Sequence, residues 1–286
     1  MTDILNYAKE HFDALEQGGI SSNEIRFFEY DGKKYVFKKP LMVGDNLSPF
    51  WQMMKNVFSF TFEKQNKNLP KVYEALKDNP HIPFAPLIAA DETAMIYGFL
   101  EGASYEEDAF PEGTENAYRL GQFIGYNHQI AHKGCGILGT CDVTDFFSNA
   151  LSHMEQFIQT HWNSTDEIDR KVQLYFKSIR KNSFQSARYS LIMADMSADQ
   201  FLYKGEDIAA CVDLDAYVIG PVEWELAFLH NQVRDWDSFT AGYETYQPMP
   251  DFEELSHFFY FLMALNPYWD KSEMEEVLES LCKEDL

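Results

Sequence analysis

Basic residues are in short supply in this chain. Its 286 residues carry 23 Lys and Arg against 46 Asp and Glu, a formal net charge of −23. Nucleic-acid binding rests on neutralising phosphates with Lys and Arg, so that class of partner is disfavoured. Anionic membranes are disfavoured for the same reason, whereas a cationic small molecule is attracted. Cysteine is also scarce. Cys135, Cys141, Cys211 and Cys282 stand without a CxxC pair and give neither a zinc site nor a disulfide framework. Reduced thiols are expected, with Cys211 buried in a strand. Long apolar runs are missing: FFYFLMAL at 258–265 is well short of the roughly 20 residues a membrane helix needs, and it suits a buried helix. The opening MTDILNYAKEHFDALEQ lacks the basic-then-apolar order of a signal sequence. These absences lead to the expectation of a soluble, cytoplasmic protein.

What is present points to a packed core. Apolar residues make up 45% and aromatics 16%, enough for one large domain or two modest ones. EIRFFEYDGKKYVFKKP, from Glu24, sets two aromatic and β-branched runs around Asp31-Gly32, a hairpin signal. QGGISSN before it reads as a Gly/Ser loop. A helical region follows over 48–79, with Pro70 starting a fresh helix. PFAPLIAADETAMIYGFLEG then gives two apolar runs about a turn at Asp91-Glu92. NAYRLGQFIGYNHQIAHKG keeps helical spacing and closes on Gly134. Amphipathic stretches run over 145–161 and 166–183, and the chain beyond Val222 is helical and aromatic. The pattern is a small β-rich part, a connector near 98–102 and a larger helical part.

The densest chemistry lies in MADMSADQFLYKGEDIAACVDLDAYVIGPVEWELAF, 193–228. Phe201 to Tyr203 and Ile208 to Val212 flank a glycine-bearing turn and pair as a hairpin. The residue before such a hairpin lies beside the residue after it, which places Gln200 next to Asp213. Asp195 heads the same loop, so Asp195, Gln200 and Asp213 converge. Two carboxylates and an amide oxygen together call for a proton or a cation, and hard oxygen ligands without His or Cys suit magnesium. Asp215 reads equally as a metal-facing group or as a structural hydrogen-bonding one. His128 and His132 have the i, i+4 spacing of a zinc helix but lack its glutamate, and they read as a structural pair.

The order Asp195, Gln200, a hairpin, VDLD at 212–215, Gly220 and then Glu225-Leu226-Ala227 resembles the aminoglycoside phosphotransferase and choline kinase group of protein-kinase-like enzymes. YVFK, ending at Lys38, looks like that group's phosphate-lysine strand, IYGFLEG like its hinge, and LGQFIGYNHQ like its LGxxLAxLH helix. The resemblance implies a two-lobed protein-kinase-like α+β fold. Residues 1–100 would form the nucleotide-binding lobe and 101–286 the catalytic and substrate-binding lobe. It also implies transfer of the γ-phosphate of ATP or GTP to a hydroxyl of a small molecule. In that scheme Asp195 is the catalytic carboxylate, and Asp213 with Gln200 holds Mg2+. Lys38 positions the phosphates, paired to a helix glutamate, Glu63 in preference to Glu74, while Phe99 and Leu100 flank the nucleotide. Asp199, Glu223, Trp224, Asp235 and Trp236 would meet the acceptor. Carboxylates beside aromatic faces favour a cation, hence an aminoglycoside or amino alcohol. Three departures stand out: Met193-Ala194 where the group has His-Gly, Gln200 for Asn, and Glu225 for Asp. They also support a second reading, a degenerate kinase that binds a nucleotide or ligand without transferring phosphate.

Overall fold

Asp31 and Gly32 both take positive φ, 50° and 68°, the geometry that a two-residue turn between twisted strands demands. They join strand β2 (Asn23–Tyr30) to β3 (Lys33–Pro40), paired without a break from Asn23↔Pro40 to Tyr30↔Lys33. The computed structural model describes residues 2–20, 22–42, 44, 46–104, 109–140, 144–265 and 271–283. With β1 (Glu16–Ile20), β4 (Leu87–Asp91) and β5 (Ala94–Gly98), these strands form an antiparallel sheet ordered β1-β2-β3-β5-β4. Helix α1 (Thr2–Glu10) lays Ile4, Leu5 and Ala8 on one face of the sheet against Phe28, Phe37 and Ile96. Helices α2 (Pro49–Phe58) and α3 (Phe62–Leu76) follow β3.

Two local expectations change here. Gln17 to Ile20 are strand, not loop. A Cβ on Gly18 would come within 2.9 Å of the Phe27 ring, so the missing side chain is what lets this edge strand lie against β2. Pro70 does not start a helix but sits inside α3, which is capped at its start by Thr61, whose hydroxyl accepts from the Lys64 N–H at 3.2 Å. A mid-helix proline costs about 3 kcal/mol. Complete burial of Leu69, Val72 and Leu76 on either side of it offsets that.

The second lobe is mainly helical. Helix α4 (Thr114–Asn127) crosses α8 (Trp236–Tyr243) with backbones touching: a Cβ on Gly121 would lie 2.0 Å from the Phe239 carbonyl oxygen, and one on Gly242 2.0 Å from that of Tyr118. The expected helix to Gly134 stops at Asn127. The next residues form β6 (Ala131–His132), the edge of a sheet ordered β10 (Tyr217–Pro221), β7 (Tyr189–Met193), β6. The Ser190 hydroxyl, donating to Ile130 O at 2.7 Å, ties the chain there. Helix α7 (Val222–Gln232) packs on this sheet and α9 (Glu253–Ala264) on α7, while α5 (Phe146–His161) packs on α2, α6 (Glu167–Ile179) on α5, and α10 (Lys271–Lys283) on α6 and α9. The FFYFLMAL run is α9, with Phe258, Phe259 and Phe261 in the core beside Phe146 and Trp224. Cys211 is buried in a strand, as expected, and Cys135 is buried too; Cys141 lies outside the described residues. Among the described residues no helix is long and apolar enough to cross a membrane.

Candidate active site

The hairpin that carries the chemistry consists of β8 (Phe201–Lys204) and β9 (Asp207–Cys211), turned by Gly205 at φ 65°. Phe201 faces Cys211, and the Val212 N–H donates to Gln200 O at 3.0 Å. The direct partner of Gln200 is therefore Val212, one residue before the expected Asp213. Both ends of the hairpin are fixed. Cys211 N–H donates to Pro83 O and Ala85 N–H to Cys211 O, each at 2.9 Å. Tyr203 and Ala103 exchange backbone bonds at 2.9 and 3.0 Å, in a close approach where a Cβ on Gly102 would meet Leu202 at 2.8 Å. The hairpin is thus locked both to the sheet lobe and to the segment just after the connector.

The loop headed by Asp195 is set by α7. Glu225 Oε1 accepts from the Met193 N–H at 3.0 Å, and the Trp224 indole donates to Ala194 O at 3.0 Å. The Gln232 amide donates to Met196 O at 3.0 Å. Glu225 Oε2 lies 2.7 Å from His128 Nε2, whose Nδ1 meets the Tyr243 hydroxyl at 3.0 Å; Arg188 donates to that hydroxyl at 2.9 Å. Buried groups in low dielectric gain from such connected bonds. Met193 and Ala194 are themselves buried and apolar, so the backbone here is held by the long arm of Glu225 and its histidine.

Asp195, Gln200, Asp213 and Asp215 line one small cavity together with Trp51. This cavity adjoins a cleft of about 690 Å³ between the lobes. Ile25, Val36, Leu202 and Val212 make part of the cleft an apolar slot, with Phe99 and Leu100 at its connector edge. Lys38 Nζ reaches Asp213 Oδ2 at 3.2 Å and Asp215 Oδ2 at 3.9 Å. Burial pulls the Lys38 ammonium down, but Asp213 and Asp215 outweigh it and the net shift is upward. Asp195 is pushed up to about 7, first by desolvation and then by the charges of Asp213 and Asp199. Because the residue is also open to cleft water, its neighbouring carboxylates are the firmer cause. Asp215 is raised to about 7 by its burial and by Asp213, against the pull of Lys38. Negative charge therefore exceeds what one lysine balances, in a cavity walled by oxygen donors. No group of three or more His, Cys, Asp or Glu among the described residues closes on a metal position. The chain offers two or three oxygens, and a hard cation here would complete its shell from water or ligand oxygens.

The structure brings Lys38, Phe99, Leu100, Asp195, Asp199, Gln200 and Asp213 to one cleft. Five expected site residues lie elsewhere. Glu63 stands exposed in the first turn of α3 and does not pair with Lys38. Glu223 is buried and accepts from Ser186 Oγ and Ala187 N–H, both at 2.6 Å, and Trp224 is core. Asp235 caps α8 through the Ser238 N–H at 3.2 Å, and Trp236 stacks on Phe239 at 4.5 Å. None of the five lines the cleft; local acidity and aromatic content could not tell a helix cap or a core ring from a ligand contact. Asn23 and Trp51 reach the site without any signal in the sequence, and Tyr97 with none beyond its place in the hinge-like IYGFLEG, because only the tertiary fold brings their strands and helix there.

No protein-family model matches the sequence, and no curated protein matches it. Solved structures do match across nearly the whole length. A macrolide 2'-phosphotransferase from Brachybacterium faecium superposes with a TM-score of 0.57 over 98% of this chain and 97% of its own, at 13% identity. The streptomycin–ATP ternary complex of APH(2")-IIa gives 0.60 over 98% and 95%, at 13% identity. A choline kinase from Streptococcus pneumoniae gives 0.54 over 98% and 92%, at 12% identity. The chain thus has the two-lobed α+β fold of protein-kinase-like small-molecule phosphotransferases.

Proposed function

We propose that the protein is a magnesium-dependent kinase that moves the γ-phosphate of ATP or GTP to a hydroxyl of a small, cationic acceptor such as an amino alcohol or aminoglycoside. The observation that carries this is the meeting of Lys38, Asp195, Gln200 and Asp213 in an interlobe cleft that also contains an apolar slot. The slot, between Ile25, Val36, Leu202 and Val212, suits a purine base, with Phe99 and Leu100 at its edge. Lys38 would draw in phosphate oxygens. Asp213 and Gln200 would hold Mg2+, which when bound neutralises phosphate charge. Asp195 would orient the acceptor hydroxyl and receive its proton, a role suited to a carboxylate raised toward neutral pH. Phosphoryl transfer asks the protein mainly for positioning and charge neutralisation, and this set of groups can supply both. Asp195 and Asp199, both facing the cleft, favour an ammonium-bearing acceptor.

The test is a transfer screen over aminoglycosides, amino alcohols, neutral sugars and acidic metabolites with Mg-ATP and Mg-GTP, run on wild type and Asp195→Asn. Transfer to a cationic alcohol, reduced about 10³-fold or more in Asp195→Asn with unchanged thermal stability at low pH, is the expected result. Nucleotide binding with neither hydrolysis nor transfer would favour the degenerate kinase. Near-full activity in Asp195→Asn would remove Asp195 from its role.

A further inference from the structure

Lys38 receives no acid from α3. The fully buried polar residues of that helix are Gln65 and Asn66, and the Gln65 amide is already engaged, donating to Tyr217 O at 2.8 Å. Two carboxylates reach the ammonium instead, both from the segment after β9, and they differ in surroundings. The Asp213 side chain keeps 26% of its surface open, while that of Asp215 keeps 3%. Asp215 Oδ2 accepts from the Asn23 amide at 2.6 Å, and Oδ1 accepts from the Tyr97 hydroxyl at 3.4 Å. The Tyr97 ring also lies 5.5 Å from Lys38 Nζ, facing the ammonium. One carboxylate is thus partly open to the cleft, with its Oδ1 accepting from the Asp215 N–H at 2.9 Å, and the other is buried and fixed from two strands of the sheet lobe.

We infer that Asp215 is the positioning residue for Lys38, doing from below the cleft what a helix acid would do from α3, with Asn23 and Tyr97 fixing Asp215 in turn. The inference rests on the kinase reading. Its physical basis is that Lys38 cannot rely on Asp213 once that carboxylate serves a metal ion. Asp215 is then the one remaining anion among the described residues within 4.0 Å of Nζ, and its fixed place would hold the lysine extended toward the phosphates. A lysine without such a partner swings on a four-carbon stem, and a misplacement of about 1 Å can cost 10²-fold in rate.

The experiment measures ATP affinity by calorimetry, with and without magnesium, and kcat and KM, for wild type, Asp215→Asn, Lys38→Met, the double variant and Glu63→Gln. Asp215→Asn should weaken metal-free ATP binding and lower kcat by about 10²-fold. The double variant should be no worse than Lys38→Met alone, since both changes break one unit. Glu63→Gln should match wild type. Should Asp215→Asn not fold, Asn23→Ala should shift the same readings in the same direction. Unchanged or tighter ATP binding in Asp215→Asn, or additive losses in the double variant, would overturn the inference while leaving the kinase reading in place. Wild-type protein that binds no ATP would overturn both.

Discussion

Asp195 is where residue chemistry and pH meet. Its carboxyl is pushed up to about 7 by the protein around it and by Asp213 and Asp199, and in the proposed role of base it would work only when deprotonated. The kcat/KM of transfer should therefore fall as pH drops below about 7, with an acid limb well above the ordinary carboxylate value of about 4. A limb near 4 in the pH–rate profile would show that the crowding does not act on Asp195. Stability should show the same crowding with opposite sign. A carboxyl whose folded value is raised binds its proton more tightly when folded, so its contribution is complete below the unfolded value and is lost as pH rises through the folded one. Thermal melts of the metal-free protein should thus find Asp195→Asn more stable than wild type at pH 8, with the gain shrinking toward pH 4. The two residues before Asp195 that depart from the resembled pattern, Met193 and Ala194, are apolar and buried. Their loop is held through the backbone by Glu225 and Trp224, a compensation that no reading of adjacent residues reveals.

Among the elements, the crossing of α4 and α8 is the least forgiving. A Cβ on Gly121 would stand 2.0 Å from a backbone oxygen, and backbone cannot step aside as a side chain can. Gly121→Ala should lower unfolding free energy by at least about 2–3 kcal/mol in denaturant titration; an unchanged midpoint would mean the helices slide apart at little cost. The α2–α5 contact adds an acid sensitivity. His153 on α5 lies 3.1 Å from the Asn56 amide, and burial pulls it down to about 4. A histidine lowered on folding contributes stability present above its unfolded value of about 6.5 and lost as pH falls through the folded value. At 1.36 kcal/mol per pH unit, roughly 3 kcal/mol should go between about pH 6.5 and 4. His153→Gln, melted across that range, should lose less.

At the scale of the whole molecule, a net charge of −23 repels itself in the folded state more than its ion pairs recover, because exposed pairs such as Arg180–Glu155 and Lys171–Glu275 are worth little each. Melting temperature should rise as sodium chloride goes from about 0.05 to 0.5 M, since the Debye length shortens toward a few ångströms. Over the same range the KM for a cationic acceptor should rise. A melting temperature that falls with salt would show that the ion pairs dominate.

The sequence by itself determined what local chemistry can encode. Asp31-Gly32 fixed a hairpin, since few other pairs accept two positive φ values in succession. Alternating acids and short apolar runs fixed the order of Asp195, Gln200 and Asp213 along a strand-turn-strand path, and with Lys38 they marked the cleft. Asp145 and Asp166 marked helix starts correctly. The tertiary structure decided whatever depends on residues distant in the chain. It kept α3 whole through Pro70, because burial on both sides outweighs a local break. It ended α4 at Asn127, because β7 offers the next residues a partner. It turned Glu223, Trp224 and Asp235 from candidate ligands into anchors and a cap, and it gave Lys38 an acid from beyond β9 rather than from α3. A helix period states which residues share a face but not what that face meets, and only the packed molecule supplies the distance from Lys38 to Asp215.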